Sequence, residues 1–286
     1  MDLIPVARGQ RQPMVGGGPA NTAKAVARLG YATYFVGGIS SDAYGNAINA
    51  ELLDSGVDLS LVLRSELPTG LAIATIDENG LARYDFELEG SASFAFEASW
   101  LPQDEPDVIH IGSVATLLEP GASELMRWLS EKKVPIVFDP NVRPSIQGDK
   151  SIYRAAFERW LDYATIVKMS EDDLTWLYDQ DERELVDSWI RQGVAIVVVT
   201  RAEKGLTAFS ADFEVNIPAV LVDVVDTVGA GDTIGAILVE GLLHHGLAGL
   251  NVQTMGMVLS RAAKAASITC SRAGANPPWR KELDQV

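Results

Sequence analysis

Basic residues are scarce in this chain of 286: 23 Lys and Arg stand against 39 Asp and Glu, a formal net charge of −16. Charge of that sign repels phosphate backbones and anionic membrane surfaces, so nucleic-acid and membrane binding drop out as general functions. Cysteine is nearly absent. Cys270, the sole one, cannot close a disulfide within the chain, which suits a reducing compartment. No apolar run approaches the roughly 18 residues that span a bilayer, and the opening MDLIPVARGQRQPM lacks the apolar centre of a secretory signal; a cytosolic protein is expected. Two nucleotide fingerprints are also missing, GxxxxGK followed by Ser or Thr, and GxGxxG after a strand.

What is present is a globular composition, 47% hydrophobic and 22% charged, in a chain long enough to bury a large core. From about residue 105 onward, short β-branched runs (108–111, 136–138, 166–168, 196–200) alternate with helical patterns at 123–132, 152–161 and 181–191, and further helices are expected at 230–245 and 254–270. That alternation predicts a parallel sheet flanked by helices, in one continuous core without linker or repeat. Earlier, 71–76 and 81–88 alternate apolar and polar residues around the turn at 77–80, the pattern of a half-exposed β-hairpin. It reads equally as a lid or as an antiparallel edge of the main sheet.

In an open α/β sheet, ligands bind beyond the carboxyl ends of the strands. The segments there are polar: HIGS (110–113), DPNVR (139–143), KMSEDD (168–173) and TRAEKG (200–205). Arg143, Lys168, Arg201 and Lys204 gather positive charge at this edge of an acidic protein, which favours an anionic ligand. DTVGAGD (226–232) runs straight into the 230–245 helix. Gly229 and Gly231 permit a tight backbone, and free N–H groups at a helix start form an anion site with Asp232 beside it. An Asp in a first helical turn is more often a simple cap; two glycines and Asp226 six residues earlier strengthen the functional reading. Near the start, GGGPAN (16–21) leads into an Ala-rich helix, where Gly17 and Gly18 allow close backbone approach and Asn21 offers donor and acceptor.

GGGPAN and DTVGAGD together, in this order, resemble the two signatures of the ribokinase-like carbohydrate kinases. Supporting matches are Gly38…Asp42…Gly45, PTG at 68–70, DPNVR, TRAEKG and SRAGA at 271–275, so the resemblance covers nearly the whole chain. It implies a three-layer α/β/α sandwich with a mainly parallel sheet and a small β-sheet lid, built from segments of about 4–15 and 66–95, in a single domain over 1–286. The implied activity is ATP- and Mg²⁺-dependent phosphorylation of a sugar hydroxyl. Asp232 is similar to the family's catalytic base, the Gly229, Ala230 and Gly231 amides to its anion hole, and Arg143 to the basic residue that meets the transferred phosphoryl group. Asp2, Gly17, Gly18, Asn21 and Asn141 match substrate-binding positions. Lys168, Ser170, Thr200, Gly205, Gly229, Gly231 and Asn276 fall at nucleotide-binding ones, Asp173 at a magnesium position and Asp226 at a monovalent-cation position such as K⁺. GGGPANTA and DPNVRPSI look most like fructokinases, with 2-keto-3-deoxygluconate kinases and ribokinases as alternatives. A homodimer through the lid is a further implication.

The chain departs from the family pattern in places. Ser170 and Asp173 stand where Asn and Glu are usual, Ala202 replaces a frequent Gly, and Ile234 and Ile237 follow Asp232 in place of Phe and Gly. Almost nothing precedes Asp2, where the family has its first buried strand, so a core strand is expected to be missing or truncated. These departures keep open a second reading, a catalytically idle sugar- or nucleotide-binding homologue. A nicotinamide-dependent dehydrogenase lacks its fingerprint.

Overall fold

The structure, a computed structural model, describes residues 1–5, 11–76, 82–94 and 98–285. The chain begins with β1 (Asp2–Pro5), β2 (Arg11–Met14), α1 (Gly18–Arg28), β3 (Gly37–Ser40), α2 (Ala43–Asp54), β4 (Val62–Ser65), β5 (Leu71–Ile76) and β6 (Ala82–Glu87). It continues with β7 (Ile109–Gly112), α3 (Gly121–Ser130), β8 (Ile136–Asp139), α4 (Lys150–Leu161), β9 (Ile166–Ser170), α5 (Glu171–Leu177), α6 (Glu182–Gln192) and β10 (Ile196–Thr200). After these come β11 (Leu206–Phe209), β12 (Glu214–Ile217), α7 (Ala230–Gly249), α8 (Val252–Cys270) and α9 (Arg280–Leu283).

The central sheet has the order β12-β11-β10-β9-β8-β7. Strands β7 to β10 run parallel, and β11 and β12 add antiparallel. Its middle strands are apolar on both faces because both are covered. Phe138, Val167, Met169, Val197 and Val199 pack with Phe157, Trp160 and Trp189 of α4 and α6 on one side. Val137, Ile166 and Val198 pack with Ile234, Ile237, Leu238, Met255 and Leu259 of α7 and α8 on the other. Each such buried side chain stabilises the fold by about 1.5–3 kcal/mol before entropy. The three layers match the expected sandwich.

The hairpin stands in a sheet of its own, ordered β2-β1-β5-β6. β5 and β6 pair antiparallel and β1 joins β5 in parallel. The reading of 71–88 as an edge of the main sheet is therefore replaced by a separate lid sheet; the turn at 77–80 lies outside the described residues. β1, with Asp2 as its first residue, belongs to this lid. The helix expected at 230–245 extends to Gly249, with a break at Gly246 (φ 61°, ψ 167°), a conformation open to glycine.

Candidate active site

α7 starts at the carboxyl edge of the central sheet. Gly229 caps it in the left-handed conformation (φ 80°), and a Cβ there would lie 2.6 Å from that of Ala275, so glycine is required twice over. Ala230 N–H turns back to Thr227 O at 3.3 Å, whereas the N–H groups of Gly229, Gly231 and Asp232 donate to no acceptor among the described residues. Of the three amides expected to form an anion hole, Ala230 is already engaged. Asp232 is buried in the first turn (8% exposed).

The glycine-rich segment meets α7 here. Asn21, in the first turn of α1, donates from Nδ2 to Asp232 Oδ2 at 2.8 Å, and Thr22 Oγ1 donates to Asp232 O at 3.4 Å. A Cβ on Gly18 would lie 3.2 Å from Asp232 Oδ1, 3.2 Å from Asn141 Nδ2 and 3.5 Å from Ser113 Cβ. Gly18, Asn21, Ser113, Asn141 and Asp232 thus converge on one point. Ser113 (φ 58°) and Asn141 (φ 45°) both adopt the left-handed region, a conformation that costs on the order of 1–3 kcal/mol for a non-glycine residue and clusters at functional sites.

Beneath α7, Lys168 Nζ pairs with Asp139 Oδ2 at 2.7 Å, both side chains buried. A Cβ on Gly231 would lie 2.7 Å from that Nζ, which explains the second glycine of the motif. Burial opposes the ammonium, but Asp139 outweighs it and the Lys168 pKa is raised. Burial, reinforced by the charge of Asp139, pushes Asp232 up to about 6, against the Asn21 hydrogen bond and the Lys168 and Arg143 charges. Asp173 is raised by the same two influences and opposed by Lys168 and Arg143; its amide caps back onto Ser170 Oγ at 3.0 Å. Arg143 thus acts electrostatically on Asp2, Asp173 and Asp232 at once, while among the described residues its side chain donates a hydrogen bond only to its neighbour Val142 O.

The lid faces this centre. A Cβ on Gly16 would fall 1.9 Å from the Asp2 carboxylate, so Asp2 lies against the glycine-rich turn. Burial raises the Asp2 pKa, with Arg143 opposing. Tyr84 of β6 is raised by burial and by the charges of Asp2 and Asp226. Asp226 accepts from Val228 N (3.0 Å) and Gly274 N (2.9 Å), joining the α7 entrance to the segment after α8.

Further along the edge, Thr200 pairs in register with Ser170 at the strand ends. Gly205 (φ 98°) lets the chain pass within 2.1 Å, for a hypothetical Cβ, of Ile217 O. Asn276 is exposed and its Oδ1 accepts from Arg28 Nη1 at 2.6 Å. Two of the four cations expected to attract an anion are otherwise occupied: Arg201 pairs with Glu171 and Glu182, and Lys204 with Glu171 at 3.0 Å. Lys168 pairs with Asp139, which leaves Arg143 as the cation without a carboxylate partner among the described residues.

Three site residues had no prior assignment. Asp139, Ser113 and His110 all lie in segments already noted as polar, His110 between the two isoleucines of β7. Asp139 Oδ1, Asn21 Oδ1 and His110 Nε2 are buried without a hydrogen-bond partner among the described residues. Burial pushes His110 down to about 4, so its ring is neutral, and its Nε2 would lie 3.2 Å from a Cβ on Gly235. Gly235 leaves room for the ring one turn beyond Asp232.

A buried carboxylate at a helix start, amides without acceptors and a guanidinium without a carboxylate partner among the described residues, and a small β-sheet beside an α/β sandwich make up a site suited to an anionic small molecule. The chain belongs to the pfkB family of carbohydrate kinases, whose family model matches residues 5–282. It is 34% identical to a fructokinase of Rhizobium leguminosarum bv. trifolii over 235 residues, 80% of this chain and 72% of that protein. With a fructokinase of Escherichia coli it shares 27% identity over 293 residues, 99% of this chain and 95% of that one. The structure of a Vibrio cholerae O395 fructokinase in fructose-, ADP- and calcium-bound form superimposes with a TM-score of 0.84 at 26% identity, covering 96% of this chain and 91% of that one.

Proposed function

We propose that this carbohydrate kinase transfers the γ-phosphoryl group of ATP to a hydroxyl of fructose, acting in the cytoplasm. The observation that carries the reading is the buried Asp232 carboxylate at the start of α7, flanked by amides that have no acceptor among the described residues and aligned by Asn21. In this reading the acceptor sugar lies among Asp2, Gly17, Gly18, Asn21, Ser113 and Asn141. Asp232 orients the attacking hydroxyl and takes its proton late, since phosphoryl transfer with a loose transition state asks for alignment and charge neutralisation. The Gly229, Gly231 and Asp232 amides and Arg143 receive the charge of the transferred group. Thr200 and Gly205, at the same strand-end edge as Lys168 and Ser170, are assigned in this reading to the nucleotide.

No group of three or more His, Cys, Asp or Glu able to hold a metal occurs among the described residues. Magnesium carried by a nucleotide needs only one or two protein carboxylates, and the unpartnered Asp139 Oδ1 together with Asp173 fits that demand. When bound, the ion would neutralise phosphate charge. Both Asp226 oxygens already accept backbone N–H bonds, so a monovalent cation there would share a carboxylate that also orders the loop.

The deciding experiment measures ADP release with Mg-ATP over fructose, ribose, 2-keto-3-deoxygluconate and adenosine, with Asp232→Asn as control. Fructose-dependent turnover abolished by the substitution supports the reading. Preference for 2-keto-3-deoxygluconate or ribose would move the acceptor, and ligand-induced thermal stabilisation without turnover would favour a binding homologue. Sedimentation of the purified protein tests pairing through the lid.

A further inference from the structure

Two sequence motifs that the chemistry leaves unused meet behind the lid. Asp42, of Gly38…Asp42…Gly45, caps α2 by accepting Gly45 N–H on Oδ1 at 2.7 Å. Thr69, of the PTG segment, adds two donors to the same carboxylate: its N–H to Oδ2 at 2.8 Å and its Oγ1 to Oδ1 at 2.7 Å. Gly45 is fixed there because a Cβ would lie 2.0 Å from Ser40 O, which seats the first turn of α2 on the end of β3. Burial works against the Asp42 charge, but the donors of Gly45, Thr69 and Ser40 hold its carboxyl down at about 2. An ionised carboxylate accepts only, so each of these donors is matched.

This carboxylate sits where both legs of the lid leave the core. Thr69 and Gly70 lead directly into β5. The returning leg, after β6, comes back at Ser91 and Ala92, where Ala92 N–H donates to Pro68 O at 2.8 Å and a Cβ on Gly70 would lie 3.0 Å from Ser91 Oγ. Helix capping alone needs the Gly45 bond; the Thr69 bonds go to the lid root. We propose that Asp42 is a positioning residue that fixes the angle at which the lid leaves the core and so sets its closure over the acceptor. Closure excludes the water that would compete for the phosphoryl group. The proposal rests on the sugar-kinase reading for its kinetic consequences and on geometry alone for the lid root.

Asp42→Asn keeps the size and an acceptor for Gly45 but turns an NH₂ group toward a Thr69 donor. Thr69→Val removes Oγ1 at nearly constant shape, and Thr69→Ser restores it. The expected result is a rise of about tenfold in KM for the acceptor in Asp42→Asn and Thr69→Val, the scale of one charged hydrogen bond. KM for ATP should stay within about twofold, sugar-independent ATP hydrolysis should gain on transfer, and Thr69→Ser should behave as the parent protein. Amide hydrogen exchange on the ligand-free full chain should quicken at residues 69–72 and 91–92 in Asp42→Asn, with α7 unchanged. A lowered Tm with acceptor KM and lid-root exchange both unchanged would make Asp42 a helix cap and overturn the proposal, as would exchange quickened evenly through the fold. If the parent protein phosphorylates no sugar, the functional reading fails, and the exchange experiment still decides the lid-root assignment.

Discussion

The Asn21 amide donates to Asp232 Oδ2 at 2.8 Å across 211 residues of sequence. This bond joins the first turn of α1 to the first turn of α7 and fixes the carboxylate rotamer. It also supplies one of the influences that oppose a higher Asp232 pKa. The two glycine-rich motifs are therefore halves of one site.

Asp232 should impose an acid limb on activity. With its pKa near 6, the carboxylate is increasingly protonated below that pH, and kcat/KM should fall about tenfold per pH unit there. Asp232→Asn should abolish sugar-dependent ADP release. Because the folded-state pKa is raised above the unfolded value of 3.8, the stability from this group is fully present below about pH 4 and lost as pH rises through 6. The same variant should therefore be more stable than the parent at pH 7, by roughly 1–3 kcal/mol, with no gain at pH 4. Urea titrations at the two pH values check this.

Removing the Asn21 donor should move that acid limb. In Asn21→Ala the carboxylate loses a hydrogen bond that favours its charged form, so the limb should shift to higher pH. Asn21→Asp sets a second carboxylate against the first and should shift it further. A pH–rate profile unchanged in both variants would mean that another group sets the limb.

Most of the scaffold was legible because its causes are local. β8, β9 and β10 are short β-branched runs buried on both faces, and Asp149, Asp181 and Asn251 cap α4, α6 and α8 with side-chain bonds to their first turns. The β11–β12 hairpin escaped because each strand has four residues and its turn is set by Ser210 Oγ accepting from Asp212 and Phe213. Within the site, the glycine motifs announced themselves by composition, whereas the pairing of Asp139 with Lys168 did not. Nothing in DPNVR or KMSEDD says that their first residues meet; the parallel register of β8 and β9 brings them together. That register also explains why Lys168, read as an anion-binding cation, is already half spent on a carboxylate.

The Lys168–Asp139 pair should be costly to break and cheap to replace. Asp139→Asn leaves a buried ammonium without its counter-charge and should lose about 3–5 kcal/mol of stability. The double change Asp139→Asn with Lys168→Met removes both charges and should recover most of that loss in urea denaturation, while activity stays low because the field around Asp232 has changed. Equal losses in single and double variants would mean that the pair contributes by packing alone.

His110 should give the opposite pH signature to Asp232. Its folded-state pKa of about 4 lies below the ordinary histidine value of 6.5, because burial disfavours the imidazolium, with Asp139 opposing this and Lys168 adding to it. Above pH 6.5 the ring is neutral in both states. As pH falls from 6.5 toward 4 the unfolded chain gains the proton first, so stability is lost across that window. Asp232 gains stability over nearly the same range, and the two contributions offset one another in the parent protein. His110→Gln removes the first, so the variant should become more stable on acidification from pH 6.5 to 4, relative to its own value at neutral pH, than the parent does. Asp232→Asn removes the second and should expose a steeper acid loss. Parallel stability–pH curves for His110→Gln and the parent would mean that the ring titrates normally, and the fit of the His110 ring against Gly235 would then have to be a looser one.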